Sequence, residues 1–208
     1  ILDIGCGIGG PARHISSKSS LSVTGIDLTP SFIRVGESLN KLVDMDDTVN
    51  LSVANATDLT FGEQQFDGAY MIHVGMNIQD KSSLFRNINK ILREKGLFVI
   101  YDVMKTRNAE LDFPLPWATD ERSSSVSSKI DYLDLLNENG FAVLRTESKR
   151  QFAISFFEQM TLRNSENGPP PLGLHLVIGE NAPIKMKNVY DKLVSGILEP
   201  VLMVAQKK

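Results

Sequence analysis

Leu2-Asp3-Ile4-Gly5-Cys6-Gly7-Ile8-Gly9-Gly10 opens the chain with two overlapping glycine patterns. Gly5, Gly7 and Gly10 spell G-x-G-x-x-G, the turn that sets a pyrophosphate on the helix that follows. Asp3, Gly5, Gly7 and Gly9 spell D-x-G-x-G-x-G, which puts a carboxylate beside the same turn. A carboxylate there repels a pyrophosphate and favours a ligand that carries an ammonium or a sulfonium. The turn's carbonyls suit a cation and its N–H groups an anion, so the pair of patterns suits a zwitterionic amino acid moiety. Under either reading Ile1 to Ile4 is a short buried strand and Pro11 lies in the first turn of a helix reaching about Lys18.

Working outward, strands and helices alternate. Leu21 to Ile26 reads as a strand ending at Asp27. Thr29-Pro30 reads as an N-cap and first turn, opening a helix to about Leu42. Val49 to Ala54 and Phe66 to Ile72 read as strands. Asp80 starts a helix in which Leu84, Ile88, Ile91 and Leu92 recur at helical spacing, with Gly96 as its stop. Leu97 to Val103 is a strongly apolar strand, and Met104 to Ser128 a long loop. A helix over Lys129 to Asn139, closed by Gly140, leads into a strand over Phe141 to Ser148. Phe152, Ile154, Phe156, Phe157 and Met160 then crowd a helical segment that reads as core, with a lid as the functional alternative. Asn164 to Gly173 is a Pro/Gly-rich break, Ile184 to Leu198 a helix, and Val201 to Ala205 a last strand. The alternation predicts a parallel sheet covered on both faces, in a single domain over 1–208 with a helical insertion, a candidate lid, over 150–200.

The bulk numbers fit one globular domain: 208 residues, 42% hydrophobic and 23% charged. A net charge of -3 argues against nucleic acid as the main partner. The one cysteine leaves no intrachain disulfide and fits a cytoplasmic location. No apolar run approaches the roughly 20 residues of a membrane span. Because Ile1 already lies in a buried strand, an N-terminal helical part is expected to be missing.

Two further acidic residues follow successive strands. Asp27, about 20 residues past the glycines, is placed to accept both hydroxyls of a ribose. Asp58, after the third strand, is placed to accept from an adenine amino group. In a parallel sheet these strand ends share one edge, where ligands bind. His73-Val74-Gly75-Met76-Asn77 follows the fourth strand, and a neutral His73 there is a candidate base. Trp117, in the long loop, reads as either an anchor or a wall of an acceptor pocket. His14 reads as structural. His175, after Pro169-Pro170-Pro171, is a candidate to reach over the site, with a surface position as the plainer reading. Cys6 reads as a small packed residue, and no His, Asp or Cys spacing suggests a metal.

LDIGCGIGGPARHIS (2–16), VTGIDLTPSFI (23–33), ANATDL (54–59), FDGAYMIHVGMNIQDK (66–81) and LREKGLFVIYDV (92–103) together resemble the class I S-adenosylmethionine-dependent methyltransferases. IGGPAR (8–13) is similar to a run in small-molecule members of the ubiquinone/menaquinone-biosynthesis, sterol and tocopherol types. The resemblance implies an α/β, Rossmann-like, mostly parallel seven-stranded sheet with helices on both faces, the last strand antiparallel, and here a helical insertion before that strand. It also implies S-adenosylmethionine as cofactor and S-adenosylhomocysteine as product. The Ile4–Gly7 turn and Gly9 would hold the methionine end with Asp3 nearby. Asp27 would take the ribose hydroxyls, Leu28 would pack near the adenine, and Asp58 and Leu59 would hold the adenine amino group. His73 would be the catalytic residue, and Met76, Asn77, Trp117 and His175 would face the substrate. The expected partners are a small-molecule methyl acceptor and, in a homodimer, a second copy. Two rival readings stay open at this level. One is an NAD(P)-dependent oxidoreductase, although Tyr101 and Lys105 at the Tyr-x-x-x-Lys spacing fall on a strand. The other is a non-catalytic cofactor-binding domain.

Overall fold

The computed structural model describes residues 1–168 and 170–208. Pro169, in the expected Pro/Gly-rich break, lies outside the described residues. Seven strands form one sheet in the order β3-β2-β1-β4-β5-β7-β6. They are β1 (Leu2–Ile4), β2 (Val23–Asp27), β3 (Val49–Val53), β4 (Phe66–Ile72), β5 (Leu92–Lys105), β6 (Phe141–Ser148) and β7 (Leu198–Lys207). β1 to β5 run parallel, and β7 lies antiparallel between β5 and β6. The helices are α1 (Gly10–Ser19), α2 (Pro30–Leu42), α3 (Lys81–Ile91), α4 (Lys129–Glu138), α5 (Arg150–Asn167), α6 (Leu174–Ile178) and α7 (Ala182–Val194).

Alternation along each strand builds two cores. Leu2, Ile4, Ile26, Ala69, Met71, Phe98 and Ile100 point to the face covered by α3 and α4, where Phe85 and Tyr132 pack against them. Val23, Val49 and Leu51 point to the opposite face, beneath Ala12 of α1 and Ile33 of α2. A third cluster of Val103, Leu115, Ala153, Val189, Leu193 and Leu198 joins the insertion to the sheet and takes in Met76.

Caps fall largely where expected. The Asp80 carboxylate accepts from the Ser83 N–H at 2.9 Å, and Ser128 and Asp131 form a capping box for α4. Thr29 stands at the N-cap of α2 but its side chain makes no capping bond. Asp27 Oδ1 accepts the Thr29 N–H instead, at 2.8 Å.

Three expectations are corrected. Gly96 does not end α3: the helix stops at Ile91, and Lys95-Gly96 forms an irregularity early in β5, with Lys95 at φ 62. Helix α5 continues to Asn167, into the first residues of the expected break from Asn164. Phe152 and Phe156 are exposed rather than core, because only Ala153 of α5 is fully buried. Among the described residues no helix is long and apolar enough to cross a membrane.

Candidate functional site

The chain moves outward from β1 to β3 and then returns to β4 on the other side of β1. The strand order therefore reverses between β1 and β4. That reversal opens a crevice at the C-terminal ends of the strands, the usual ligand position in such sheets. The glycine turn leaves β1 on one side of it and the loop His73–Ile78 leaves β4 on the other.

The turn is shaped by its glycines. Gly5 has φ 68, and a Cβ there would lie 2.4 Å from Val74 Cγ2, so only glycine lets the turn press against the β4 loop. Gly7 has φ 55, and a Cβ there would meet nothing within 4 Å, so this side of the turn faces open space. Gly10 would tolerate a Cβ on the same test. The turn is tied down by its own N–H groups. Cys6 N–H donates to Ile26 O, Gly9 N–H to Cys6 O, each at 2.9 Å, and Gly7 N–H to Asp27 Oδ2 at 2.9 Å. Three N–H groups expected to be offered to an anion are thus used within the fold, and one of them fixes Asp27 against the turn.

Asp3 lies beneath this turn, 2% exposed. Burial pushes its carboxyl up to about 7, aided by the charge of Asp27 and opposed by the Tyr70 hydroxyl. Asp3 Oδ2 and Tyr70 Oη are both buried without a hydrogen-bond partner. The hydroxyl is thus close enough to stabilise the carboxylate, yet neither atom completes a bond of normal geometry. A buried carboxylate oxygen left in that state is costly, and a cationic ligand at the turn would offset the cost. The thiol of Cys6 is pushed up to about 12 by burial and by Asp3 and Asp27, so Cys6 is a packed thiol.

The outer part of the crevice carries exposed groups. Leu28 is 66% exposed and Val53 53%, an apolar pair at the same edge as Asp58, which is also exposed. Leu59 beside it is half-buried against the core.

On the β4 side, His73 adopts φ 58 and donates its N–H to Tyr101 O at 2.8 Å. Its ring lies 4.9 Å from that of Tyr101. The residue is exposed at its surface, but its imidazole is crowded by the surrounding chain, and that desolvation lowers its pKa. The next residues are clamped from below. Asp102 accepts from the N–H of Val74 at 2.8 Å, from that of Gly75 at 3.0 Å and from the Tyr132 hydroxyl at 2.9 Å. Lys81, 3% exposed, donates to Ile78 O at 2.8 Å and Ser125 O at 2.6 Å. Burial pulls its ammonium down to about 8, against the pull of Asp102 and Asp131.

Among the expected substrate residues, Asn77 is exposed on this loop, whereas Met76 is 1% exposed and forms the loop's packed underside. Trp117 is half-buried and donates Nε1–H to Ser124 Oγ at 3.1 Å, anchoring the long loop. His175 sits exposed on α6, and His14 exposed on α1. The structure thus joins Asp3, the glycine turn, Asp27 and, through Gly5 and Val74, His73.

Sequence reasoning missed Tyr70, Lys81 and Asp102. The signals were a tyrosine inside the apolar FDGAYMI, an aspartate inside LFVIYDV, and a lysine in the first turn of a helix, where the dipole disfavours it. The hollows elsewhere are unrelated to this crevice. One of about 480 Å³ lies at the opposite edge among Glu63, Arg86, Lys90 and Lys207, and one of about 200 Å³ beside Asn40 and Asp46.

Comparison with known proteins adds the following. Residues 2–100 match the family described as "Methyltransferase domain". The chain is 34% identical over 102 residues to cycloartenol-C-24-methyltransferase of Arabidopsis thaliana, covering 49% of this chain and 30% of that one. It is 32% identical over 149 residues to the O-methyltransferase resE of Aspergillus sclerotiorum, covering 69% and 55%. The chain therefore spans between 30% and 55% of the length of these curated relatives. Among solved structures, the fold is similar to geranyl diphosphate C-methyltransferase from Streptomyces coelicolor A3(2), solved with Mg2+, geranyl diphosphate and S-adenosyl-L-homocysteine. There the TM-score is 0.81 at 18% identity, over 100% of this chain and 70% of that one. It is also similar to the [4+2]-cyclase SpnF, with TM-score 0.73 at 21% identity over 99% and 73%.

Proposed function

We propose, on the premise that residues 2–100 are a methyltransferase domain, that this chain transfers a methyl group from S-adenosylmethionine to a small-molecule acceptor. The observation that carries the reading is Asp3: a buried carboxylate with an unpartnered oxygen beneath a glycine turn, wired through the Gly7 N–H to Asp27. That set fits a ligand with a cationic amino acid end and a ribose. It does not favour the pyrophosphate of NAD(P), and the family match points the same way.

In this reading Asp3 and the turn from Ile4 to Gly9 hold the methionine end. Asp27 spends one lone pair of each oxygen on the Gly7 and Thr29 N–H groups and keeps the others for the ribose hydroxyls. Leu28 packs on the adenine, and Asp58 and Leu59 take its amino group. The bound cofactor supplies a methyl group on a positively charged sulfur, a centre open to in-line attack. The protein's part is to align the acceptor and exclude water. His73, neutral near pH 7, accepts the acceptor's proton where there is one to lose. Asn77 and Trp117 border the acceptor, Met76 supports them from below, and α5–α7 with His175 form the candidate lid. A cytoplasmic location and a homodimer belong to the same reading.

The test is release of S-adenosylhomocysteine by the full-length protein across a panel of sterol, prenyl, phenolic and amine acceptors. The expected result is release with at least one acceptor. Micromolar binding of NADH with none of S-adenosylmethionine would sink the reading. The cyclase with the same fold makes this assay the deciding one, since fold alone does not fix the reaction.

A further inference from the structure

Tyr70 is the residue at this site that the chemistry above leaves without a task. It stands directly across from Asp3 in the β1–β4 register, so both side chains leave the same face of the sheet. Gly25 faces Asp3 from β2, and a Cβ there would crowd Cys6 at 2.9 Å. The small residue leaves the pocket under the turn to Asp3, Tyr70 and Cys6. Tyr70 is 7% exposed, and its hydroxyl has no partner. A buried tyrosine hydroxyl is normally satisfied. Here the one carboxylate within its influence is itself unsatisfied.

We propose that Tyr70 is a positioning residue of the cofactor site: its hydroxyl, beside the Asp3 carboxylate in the unliganded chain, keeps that carboxylate charged and ready for the cofactor's ammonium. The inference rests on the methyltransferase reading and deepens it. Desolvation drives Asp3 toward its neutral form, and the Tyr70 hydroxyl is the group that opposes this. The other groups around Asp3 do not help. Asp27 at the end of β2 repels its charge, Cys6 in the turn stays a thiol, and Arg13 on α1 is spent on Ile8 O and Asn40 Oδ1. Tyr70 thus decides how much of Asp3 is ionised at neutral pH, and so how well the turn attracts a cation.

The experiment is calorimetric titration with S-adenosylhomocysteine from pH 5.5 to 9 on wild type, Tyr70→Phe and Asp3→Asn. Wild-type affinity is expected to fall on the acid side through pH 7. In Tyr70→Phe that limb moves up by about one pH unit, so affinity drops about fivefold at pH 7 but less than twofold at pH 9. Asp3→Asn is expected to be weak and nearly flat. At pH 5.5, where Asp3 is neutral with or without the hydroxyl, the phenylalanine variant should keep its urea midpoint. A loss by the same factor at every pH, a lowered midpoint with an unmoved limb, or unchanged binding would each overturn the proposal. Wild type that binds no S-adenosylhomocysteine at any pH overturns the methyltransferase reading itself.

Discussion

His73 stands in left-handed backbone space, φ 58, where residues with a Cβ are uncommon. Such a conformation costs on the order of 1–3 kcal/mol and persists only where its surroundings impose it. Here the Tyr101 carbonyl holds the His73 N–H, and Asp102 holds the next two. The left-handed backbone at His73 ends β4 at Ile72, and crowding of the imidazole lowers its pKa below the ordinary 6.5. A base works in its unprotonated form. At saturating cofactor, kcat for a proton-bearing acceptor should therefore rise with pH below 6.5 and be level at neutrality. His73→Ala should remove that limb and lower kcat by roughly 10²–10⁴-fold, with cofactor affinity within twofold of wild type. Steady-state kinetics on the acceptor found in the panel would check both, and an unchanged kcat would remove His73 as base. None of this strain was legible beforehand. Sequence placed His73 at the end of a strand, but its backbone angle depends on contacts with β5.

Strand β5 and helix α3 show the same division at the next scale. The apolar run in LFVIYDV announces a buried strand, and the Leu84/Ile88/Ile91 spacing announces a helix face, because periodicity is local. Asp102 and Lys81 break those patterns, and their purpose is long-range: both reach the loop that leaves β4. Gly96 likewise looked like a helix stop, since glycine marks both caps and bulges and only strand pairing separates them. The clamp predicts its own failure. Asp102→Asn keeps the shape, but its amide NH2 must face N–H or O–H groups that need an acceptor. The expected cost is about 1–3 kcal/mol of stability, read as a lowered urea midpoint. Since the loop carries His73 and Asn77, turnover should fall while S-adenosylhomocysteine affinity holds. The single tryptophan, Trp117, supplies a local monitor. Lys81 ties the long loop through Ser125 O, next to the Ser124 hydroxyl that accepts from Trp117. Lys81→Met should therefore raise acrylamide quenching of Trp117. Variants with midpoint and turnover both at wild-type values would show that the clamp does not shape the acceptor side.

At the scale of the molecule, a mostly parallel seven-stranded sheet was readable from alternation and resemblance, whereas the edge that carries the site follows from where the strand order reverses. Less readable was the insertion, whose exposed Phe152 and Phe156 look like core in sequence because composition does not say which way a helix turns. The cofactor reading makes a global prediction that needs no acceptor. A ligand that binds only the folded chain stabilises it by about 2.7 kcal/mol at a hundred times its Kd. For a chain of this length that is a rise in Tm of roughly 5–11 °C. S-adenosylhomocysteine should produce such a shift in thermal denaturation, and NADH at the same concentration should produce none. Asp27→Ala removes the acceptor for the Gly7 and Thr29 N–H groups, so its unliganded Tm should drop as well. The informative quantity is the ligand-induced difference, expected to shrink to a few degrees at the same ligand concentration. An undiminished shift in Asp27→Ala would place the ribose elsewhere. A shift with NADH alone would return the glycine turn to the dinucleotide pattern that its first, third and sixth positions spell.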